Sequence, residues 1–279
     1  MLDVLRFGGV SAGPHVLVTG GIHGDEYEGP AAIADLMAQV PKLPLQGTVT
    51  AIPVASEMAW RAGTRCSPDD GLNLARTFPG NPEGSPTERL AAEIFAIARE
   101  CDYLIDLHSG GVEYRFVPLA GFYTEASREA ARHFGLPVLW QLPETDGVLS
   151  CELTKLGKTA IGCEYLGGGE LSLRGASDYV RGILSCLAHW EMVPAEYVLE
   201  KETATYRGDW QLSEVEGVFR GLVQLGQDVR AGRPLAEIRS HRGDVLQRFG
   251  AACDGRVLAL RNKAYIRPGN WAVLVGEHV

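Results

Sequence analysis

The sequence places a histidine and two acidic residues directly after a short apolar run, in the segment VTGGIHGDEYEGP at residues 18–30. His23 and Glu26 are three residues apart, a spacing that puts both side chains on one side of a helical turn or tight loop. An imidazole and a carboxylate so placed can bind one cation. The pair has an ordinary alternative, because a histidine beside a helix start is usually a capping or packing residue. Alone, the pair indicates a metal site only weakly.

A second histidine follows another strand-like run, in DYLIDLHSGG at residues 102–111. Ligands of open α/β sheets bind in the crevice outside the carboxyl ends of the strands, where both histidines are expected. His23, Glu26 and His108 would supply three protein ligands and leave one position for water, as a catalytic zinc site requires. Zinc draws the pKa of such a water toward neutrality and makes it a nucleophile. Asp106 either orients an imidazole or makes a hydrogen bond to a loop.

Three further charged residues could meet a substrate. Glu164 follows the apolar run AIGC and precedes YLGGG, so we expect it at another strand end, either as a general base and acid or as a surface glutamate before a turn. Arg65 and Arg76 lie in the loop RCSPDDGLNLARTFPG. Their guanidinium groups could bind carboxylates or stabilise an oxyanion, although a single arginine is more commonly a solvated charge.

Together these motifs resemble the succinylglutamate desuccinylase/aspartoacylase family, a branch of the zinc carboxypeptidase-like hydrolases. The resemblance rests on H-x-x-E after a glycine pair, N-L-x-R-x-F-P-G, D-L-H-S-G-G and E-x-x-G-G-G, in the family's order over residues 15–170. It implies that His23, Glu26 and His108 bind one zinc ion per subunit. It also implies that Glu164 is the general base and acid.

The resemblance extends to the loop residues. It implies that Arg65 polarises the scissile carbonyl and that Arg76 binds a substrate carboxylate. Many relatives carry Asn-Arg where this sequence has Ala75 and Arg76, so carboxylate binding could be weaker, or Asn73 could contribute from two residues away. This departure concerns the identity of the substrate rather than the reaction.

The activity that the resemblance implies is hydrolysis of the amide bond of an N-acyl amino acid or a similar small amide, with a zinc-activated water and a glutamate base. A metallocarboxypeptidase acting on short peptides is the alternative among enzymes. A carrier or binding module with a degenerate hydrolase domain is the alternative from another class. The expected partner is a small molecule, and assembly into a homo-oligomer stays open.

Strands and helices alternate in the part of the chain that must position these residues. Four short runs predict strands, at residues 15–21, 47–56, 102–111 and 159–169. Ser85 and Glu88, with Pro86 between them, predict a capping box at the start of one helix. The alternation predicts an α/β fold, and the resemblance specifies a zinc carboxypeptidase-like mixed sheet flanked by helices.

Beyond about residue 198, short β-branched runs between glycine turns replace the helical pattern. We therefore predict a catalytic domain over residues 1–198 and a small all-β domain over 199–279, which resembles the barrel-sandwich domains of the same family. Biotinyl and lipoyl carriers have similar segments, but Lys263 lies well past the DGRV turn, where a carrier lysine is not expected. The domain is predicted to wall the active-site mouth or to make an oligomer contact.

Composition argues against several other partners. The chain of 279 residues has a net charge of -9 and a pI near 5.3, which disfavours nucleic acid or an anionic membrane. It contains no run of about 18 apolar residues and no signal-peptide pattern at its start, so we expect no membrane association and a cytoplasmic location. Six scattered cysteines without a C-x-x-C pair fit reduced thiols.

Overall fold

The computed structural model describes residues 2–199 and 201–279, which contain six α-helices and sixteen strands. The helices are α1 (Glu28–Met37), α2 (Glu57–Ala62), α3 (Pro86–Ala98), α4 (Glu125–Phe134), α5 (Leu149–Lys155) and α6 (Leu173–His189). The first eight strands are β1 (Leu5–Gly8), β2 (Ser11–Thr19), β3 (Gln46–Ile52), β4 (Tyr103–Leu107), β5 (Tyr114–Phe122), β6 (Val138–Gln141), β7 (Thr159–Gly167) and β8 (Ala204–Arg207). The other eight are β9 (Trp210–Leu212), β10 (Gly217–Gly221), β11 (Asp228–Val229), β12 (Pro234–Arg239), β13 (Val245–Gly250), β14 (Gly255–Arg261), β15 (Tyr265–Ile266) and β16 (Trp271–His278).

A large mixed sheet runs through the molecule. Its strands follow the order β1-β3-β2-β4-β7-β5-β6-β8-β16-β14-β11, and β9 pairs with β16. The four neighbours β3, β2, β4 and β7 are parallel, whereas β1 and β5 are antiparallel to β3 and β7. The prediction of a mixed α/β fold is therefore confirmed.

The two faces of β2 pack into different hydrophobic cores. Val16 and Val18 belong to a core that includes α1, α4 and α6, whereas Leu17 belongs to a core that includes α3 and α5. Successive side chains of a strand point to opposite faces of the sheet. A strand covered by helices on both faces must be apolar at every position, which explains the uninterrupted run VLV in the sequence.

The carboxyl ends of β2, β4 and β7 meet at one edge of the sheet. Thr19 pairs with Asp106 across β2 and β4, and Leu107 pairs with Cys163 across β4 and β7. The residues that follow these positions along the chain therefore lie side by side. This register places the two histidine-bearing segments next to each other.

The capping box predicted for α3 is confirmed. The Ser85 side chain accepts a hydrogen bond from the backbone of Glu88, and the Glu88 carboxylate accepts one from the backbone N–H of Ser85 at 2.8 Å. Pro86 is the first residue of the helix. Two otherwise unpaired N–H groups of the helix start are satisfied in this way.

The sequence pattern did not reveal β5, which lies between β7 and β6 in the sheet. Pro118 interrupts its apolar run, and proline is uncommon inside a strand because it cannot donate a ladder hydrogen bond. The structure accommodates Pro118 with a register shift between Phe116 and Leu119 in the pairing with β7. The predicted strand at 159–169 also ends earlier, at Gly167, where three glycines in a row have positive φ.

After α6, the described elements are strands apart from a 3-10 turn at Ala195–Tyr197. Five of these strands (β8, β9, β11, β14 and β16) extend the large sheet, and the other four form a second sheet in the order β13-β12-β10-β15. Strand β14 also pairs with β5, with Leu260 opposite Arg115. The C-terminal strands are thus joined to the N-terminal part by backbone pairing.

No α-helix within residues 2–199 and 201–279 has both the length and the hydropathy that crossing a membrane requires.

Candidate metal centre and active-site cavity

The structure brings His23, Glu26 and His108 together. One ligand atom from each side chain lies within 4.8 Å of the other two. Nδ1 of His23 is 2.8 Å from Glu26 Oε1, and Nδ1 of His108 is 3.0 Å from Glu26 Oε2. Two imidazole nitrogens and a carboxylate therefore face a common point, which is a donor set that suits one zinc ion.

Each histidine has a further polar partner on the opposite side of its ring. Nε2 of His23 is 3.0 Å from Asn73 Oδ1, and Nε2 of His108 is 3.0 Å from Asp106 Oδ2. The Thr19 hydroxyl donates to the other carboxylate oxygen of Asp106 at 2.5 Å. A proton on each Nε2 satisfies these acceptors and leaves a lone pair on each Nδ1 for a metal.

The electrostatics of Glu26 and His108 favour positive charge beside the Glu26 carboxylate, whereas His23 is held neutral. Burial and the charge of Arg65 lower the pKa of His23 to about 4. Burial alone would lower the pKa of His108, but Asp106 and Glu26 hold it well above its ordinary value. Burial alone would raise the pKa of Glu26, but the two imidazoles hold it well below the ordinary range. A divalent cation bound here would be stabilised by the same carboxylate charge that stabilises a proton on His108.

Asp25, which the sequence analysis left without a role, joins the loops that carry the two histidines. Its Oδ2 accepts a hydrogen bond from the backbone of Val112 at 2.9 Å. Gly111 has a φ of 54°, and a Cβ added there would overlap the same oxygen. Gly24 is equally constrained, because its Cβ would overlap the backbone of Ala59. Packing therefore requires glycine at position 24 of the motif H-G-D-E and at position 111 of the motif S-G-G.

Glu164 lies within β7, three residues before the strand ends, and lines a cavity together with His23 and His108. Its Oε2 atom is buried and has no hydrogen-bond partner among the described residues. Burial and the charge of Glu26 raise the pKa of Glu164 well above its ordinary value. A carboxyl group whose protonated form is stabilised in this way can accept a proton as a general base and then return it as a general acid.

Both arginines of the long loop line the same cavity. Arg65 Nη1 is 3.1 Å from Glu26 Oε1 and 3.3 Å from His23 Nδ1. Burial alone would lower the pKa of Arg65, but the carboxylate of Glu26 holds it above the ordinary value. Arg76 makes no ion pair with any described residue, and its Nη1 donates to the backbone carbonyl of Ala75 at 2.7 Å. Arg76 thus brings an unneutralised positive charge to the cavity.

Asn73 contacts the Nε2 edge of the His23 ring, on the side away from Glu26. Ala75 and Arg76, which follow it in the chain, line the cavity. Asn73 Oδ1 also accepts a hydrogen bond from the backbone N–H of Ala75 at 2.9 Å, at the start of the 3-10 turn Leu74–Arg76. This position favours a role in orienting His23. Contact between Asn73 and a substrate carboxylate stays a prediction.

The C-terminal strands complete the cavity, whose volume is about 350 Å³. Trp271 of β16 stacks on Trp210 of β9, with 4.9 Å between the ring centroids. The guanidinium carbons of Arg65 and Arg76 lie 5.7 and 5.4 Å from the centroid of Trp271, within the range of cation–π attraction. These strands therefore wall one side of the cavity. Isolated tryptophans in short strands gave no signal that could identify these residues in advance.

The chain is similar in sequence to known proteins. Residues 12–190 match the model of the succinylglutamate desuccinylase/aspartoacylase catalytic domain. The N-alpha-acetyl-L-2,4-diaminobutyric acid deacetylase of Halomonas elongata is 32% identical over 284 aligned residues, which cover 96% of this chain and 83% of the relative.

Solved structures also resemble this chain over nearly all of its length. A succinylglutamate desuccinylase from Silicibacter sp. TM1040 superposes with a TM-score of 0.89 at 28% identity, covering 100% of this chain and 89% of the other. The ectoine utilization protein EutE (DoeB) of Ruegeria pomeroyi, in a product-bound structure, superposes with a TM-score of 0.88 at 29% identity, covering 98% and 88%.

Proposed function

This chain belongs to the succinylglutamate desuccinylase/aspartoacylase family, and from that membership we propose that it is a zinc-dependent amidohydrolase that removes the acyl group from a small N-acyl amino acid. The relatives named above include a deacetylase of an N-acetylated diamino acid and a desuccinylase. Both kinds of enzyme cleave an amide between an acyl group and an amino acid.

The observation that carries the proposal is the position of Glu164 beside the cation site. The ligand atoms of His23, Glu26 and His108 converge within 4.8 Å, and Glu164 lines the cavity next to two of these residues with one carboxylate oxygen unpartnered. A site that only stabilised the fold would not need a buried, unpaired carboxylate beside it.

The donor set of two neutral imidazole nitrogens and one carboxylate fits zinc and leaves room for a fourth ligand. A zinc ion held by His23, Glu26 and His108 would supply Lewis acidity, polarising the amide carbonyl and lowering the pKa of a water molecule. Asn73 and Asp106 orient the two imidazoles toward it.

The chain's own residues carry the proton transfers. Glu164 accepts a proton from the attacking water as the oxygen of that water bonds to the carbonyl carbon. Glu164 later gives the proton to the amine nitrogen as the C–N bond breaks. Arg65 stabilises the negative charge that develops on the carbonyl oxygen. Arg76, which has no acidic partner among the described residues, binds the carboxylate of the amino acid half.

We also propose the finer points of architecture. The fold of residues 1–198 is of the zinc carboxypeptidase-like type, and residues 199–279 form a barrel-sandwich domain. The proposed boundary lies just after the family match, which ends at residue 190. The large sheet continues across it, so the C-terminal strands and the catalytic part would act as one unit.

The two alternatives have weaker support. Lys263 Nζ lies 3.6 Å from Glu113 Oε1, and the backbone N–H of Lys263 donates to the Glu113 carbonyl, so this lysine is tied to a loop rather than presented for modification. A carrier role is therefore disfavoured. A metallocarboxypeptidase would use the same cation site and Glu164. An assay with a short peptide beside an N-acyl amino acid separates the two enzymes.

The test of the proposed function is Glu164→Gln in the zinc-loaded protein. We expect hydrolysis of N-acetyl and N-succinyl amino acids to fall by at least roughly a hundredfold, because a general base contributes about that much or more. Zinc content per chain, measured by mass spectrometry, should be unchanged, because Glu164 is not one of the three ligands.

Glu170→Gln is the matched control, because Glu170 is an exposed glutamate just after the same strand. It should keep full activity. A fully active Glu164→Gln variant would remove Glu164 from the reaction. Absence of hydrolysis with every N-acyl amino acid, together with cleavage of a peptide, would favour the carboxypeptidase.

A further inference from the structure

Two hydroxyl groups line the cavity and have no part in the proposed chemistry. They belong to Tyr123 and Ser150, and Ser150 is only 2% exposed. Tyr123 Oη lies 3.3 Å from Ser150 Oγ, and within residues 2–199 and 201–279 neither hydroxyl has another hydrogen-bond partner. The two hydroxyls carry one proton each, and the hydrogen bond between them uses one of these protons. One O–H donor is therefore left without an acceptor from the described part of the chain.

The hydroxyl pair is held in place by the elements on both sides of it. Tyr123 follows the last residue of β5, and its backbone N–H donates to Ser127 Oγ at the start of α4, at 2.9 Å. Ser150 belongs to the first turn of α5. Burial raises the pKa of Tyr123 above its ordinary value, so the phenol keeps its proton at neutral pH. The cavity thus contains a neutral donor at a fixed position.

Gly162 of β7 leaves open space beside this pair. A Cβ added to Gly162 would meet only Ser150 Oγ within 4 Å, at an ordinary contact distance of 3.8 Å, and its φ lies outside the left-handed region. Gly121, opposite it in β5, differs because a Cβ there would overlap the side chain of Leu142. Glycine weakens a strand interior and often marks a place where a ligand approaches the backbone closely. The space in front of Gly162 therefore suits a part of the substrate.

This space adjoins the general base of the proposed reaction. Gly162 and Glu164 are two residues apart in β7, so they point to the same face of the sheet, with about 7 Å between their Cα atoms. Both line the cavity. The α-carboxylate of an amino acid is attached to the carbon next to its nitrogen. A substrate whose nitrogen takes a proton from Glu164 can therefore place its carboxylate in front of Gly162.

The turn that carries Arg76 is packed against the segment that precedes Ser150. A Cβ added to Gly147 would overlap the backbone carbonyl of Arg76, and the N–H of Phe78 donates to the carbonyl of Gly147 at 3.2 Å. The guanidinium of Arg76 and the hydroxyl pair consequently belong to adjoining parts of the cavity wall. A carboxylate has about four acceptor positions, which is more than one guanidinium fills. A positive charge and a neutral donor side by side therefore suit a carboxylate.

We propose that Tyr123 donates a hydrogen bond to the substrate carboxylate that Arg76 binds, and that Gly162 keeps the space for this carboxylate open. The inference rests on the proposed function, because the carboxylate is that of the amino acid half. Tyr123 is the more exposed of the two hydroxyl residues, and its phenol is more acidic than the alcohol of serine. Ser150 accordingly donates to the Tyr123 oxygen and strengthens the donor that faces the anion.

Tyr123→Phe tests the hydrogen bond with N-acetyl-L-alanine and N-acetyl-L-alaninamide, which differ only at the carboxylate. We expect KM of the zinc-loaded protein to rise roughly tenfold or more for the acid, because a hydrogen bond to a charged group is lost, and roughly threefold or less for the neutral amide. The kcat for the acid should change little, because the contact is equally strong before and during the reaction. Ser150→Ala should raise KM for the acid by only about twofold, because Tyr123 keeps its donor.

Tyr265→Phe is the matched control, because Tyr265 is exposed and its hydroxyl contacts Glu216 outside the cavity lining. It should leave KM for both compounds unchanged.

Gly162→Ala tests the open space. The added methyl group has room beside Ser150 but takes the place of the substrate, so we expect KM for the acid to rise roughly tenfold while the melting temperature stays the same or increases. Gly8→Ala is the control, because Gly8 lies in β1, outside the cavity lining, and a Cβ there meets no atom within 4 Å. An unchanged KM in Gly162→Ala, or a raised KM accompanied by a lower melting temperature, would contradict the assignment of Gly162.

Calorimetric binding of the same two compounds to the Glu164→Gln protein gives a reading that does not depend on turnover. Tighter binding of the acid, reduced by adding Tyr123→Phe and unchanged by adding Tyr265→Phe, supports the inference even if the parent protein hydrolyses neither compound. That absence of hydrolysis would contradict only the proposed function. Unchanged KM and unchanged binding of the acid in Tyr123→Phe overturn the inference. Equal losses for the acid and the amide also overturn it, because they place Tyr123 away from the carboxylate.

Discussion

Asn73 Oδ1 lies 3.0 Å from Nε2 of His23, although the two residues are 50 positions apart in the chain. The same oxygen accepts the backbone N–H of Ala75. Asn73 therefore fixes the ring of His23 and the turn that carries Arg76 at once. This contact connects the cation site to the part of the cavity where a substrate carboxylate is expected.

Replacing Asn73 with alanine should weaken zinc binding by roughly ten- to a hundredfold, because partners that orient a ligand histidine have about that effect. A competition titration with a chelator of known affinity measures the change. Asn73→Asp keeps an acceptor oxygen and should retain most of the affinity. Unchanged zinc affinity in Asn73→Ala would show that His23 needs no such partner.

Replacing Arg76 with methionine should raise KM by roughly tenfold or more for N-acetyl amino acids, because a charged hydrogen bond to the carboxylate is lost. The matching amino acid amides lack that carboxylate, so the same variant should leave their KM nearly unchanged. Arg61→Met is the control, since Arg61 is exposed and its ion pair among the described residues is with Glu57. An equal loss on acids and amides would point to a role other than carboxylate binding.

Trp271 contacts both arginines, so its removal should affect the substrate site from the C-terminal side. We expect Trp271→Ala to raise KM by roughly tenfold through loss of two cation–π contacts, and Trp271→Phe to restore most of the affinity. Steady-state kinetics and a thermal melt on each variant separate this effect from unfolding. Trp190→Ala removes a ring that stacks on Tyr103 away from the cavity, and it should leave KM unchanged.

Asp70 makes stability depend on pH through the start of α3. Burial alone would raise its pKa, but hydrogen bonds from the backbone of Thr87 and Leu72 and from the Thr87 hydroxyl lower it to about 2. The unfolded chain has an ordinary aspartate with a pKa of about 4. The stabilisation is therefore fully present above about pH 4 and is lost as the pH falls toward 2.

Asp70→Asn should accordingly lower the free energy of unfolding at neutral pH, and the difference from the parent protein should shrink between about pH 4 and pH 2. Urea unfolding followed by circular dichroism across this range measures it. Asp69→Asn, a change at the exposed neighbouring residue, is the control. A difference that stays constant down to pH 2 would mean that the charge of Asp70 does not stabilise the helix start.

Local signals in the sequence predicted much of the fold and the main residues of the candidate site. The capping box at Ser85 and the apolar run before His23 depend on neighbours within a few residues, so they can be identified without a structure. The interruption at Pro118 concealed β5, because the compensating register shift is a property of its pairing with β7. Where pairing with a neighbouring strand determines that a segment is a strand, the residue pattern of that segment alone does not predict it.

The sequence by itself indicated which side chains could bind a cation, since His23 and Glu26 are three residues apart and His23 and His108 each follow an apolar run. Only the tertiary structure decided what surrounds them. Asn73 and Asp106 orient the imidazoles, and Trp210 and Trp271 close the cavity. These relationships join segments far apart in the chain, and they exist because parallel strand ends and the C-terminal strands pack at one edge of the sheet.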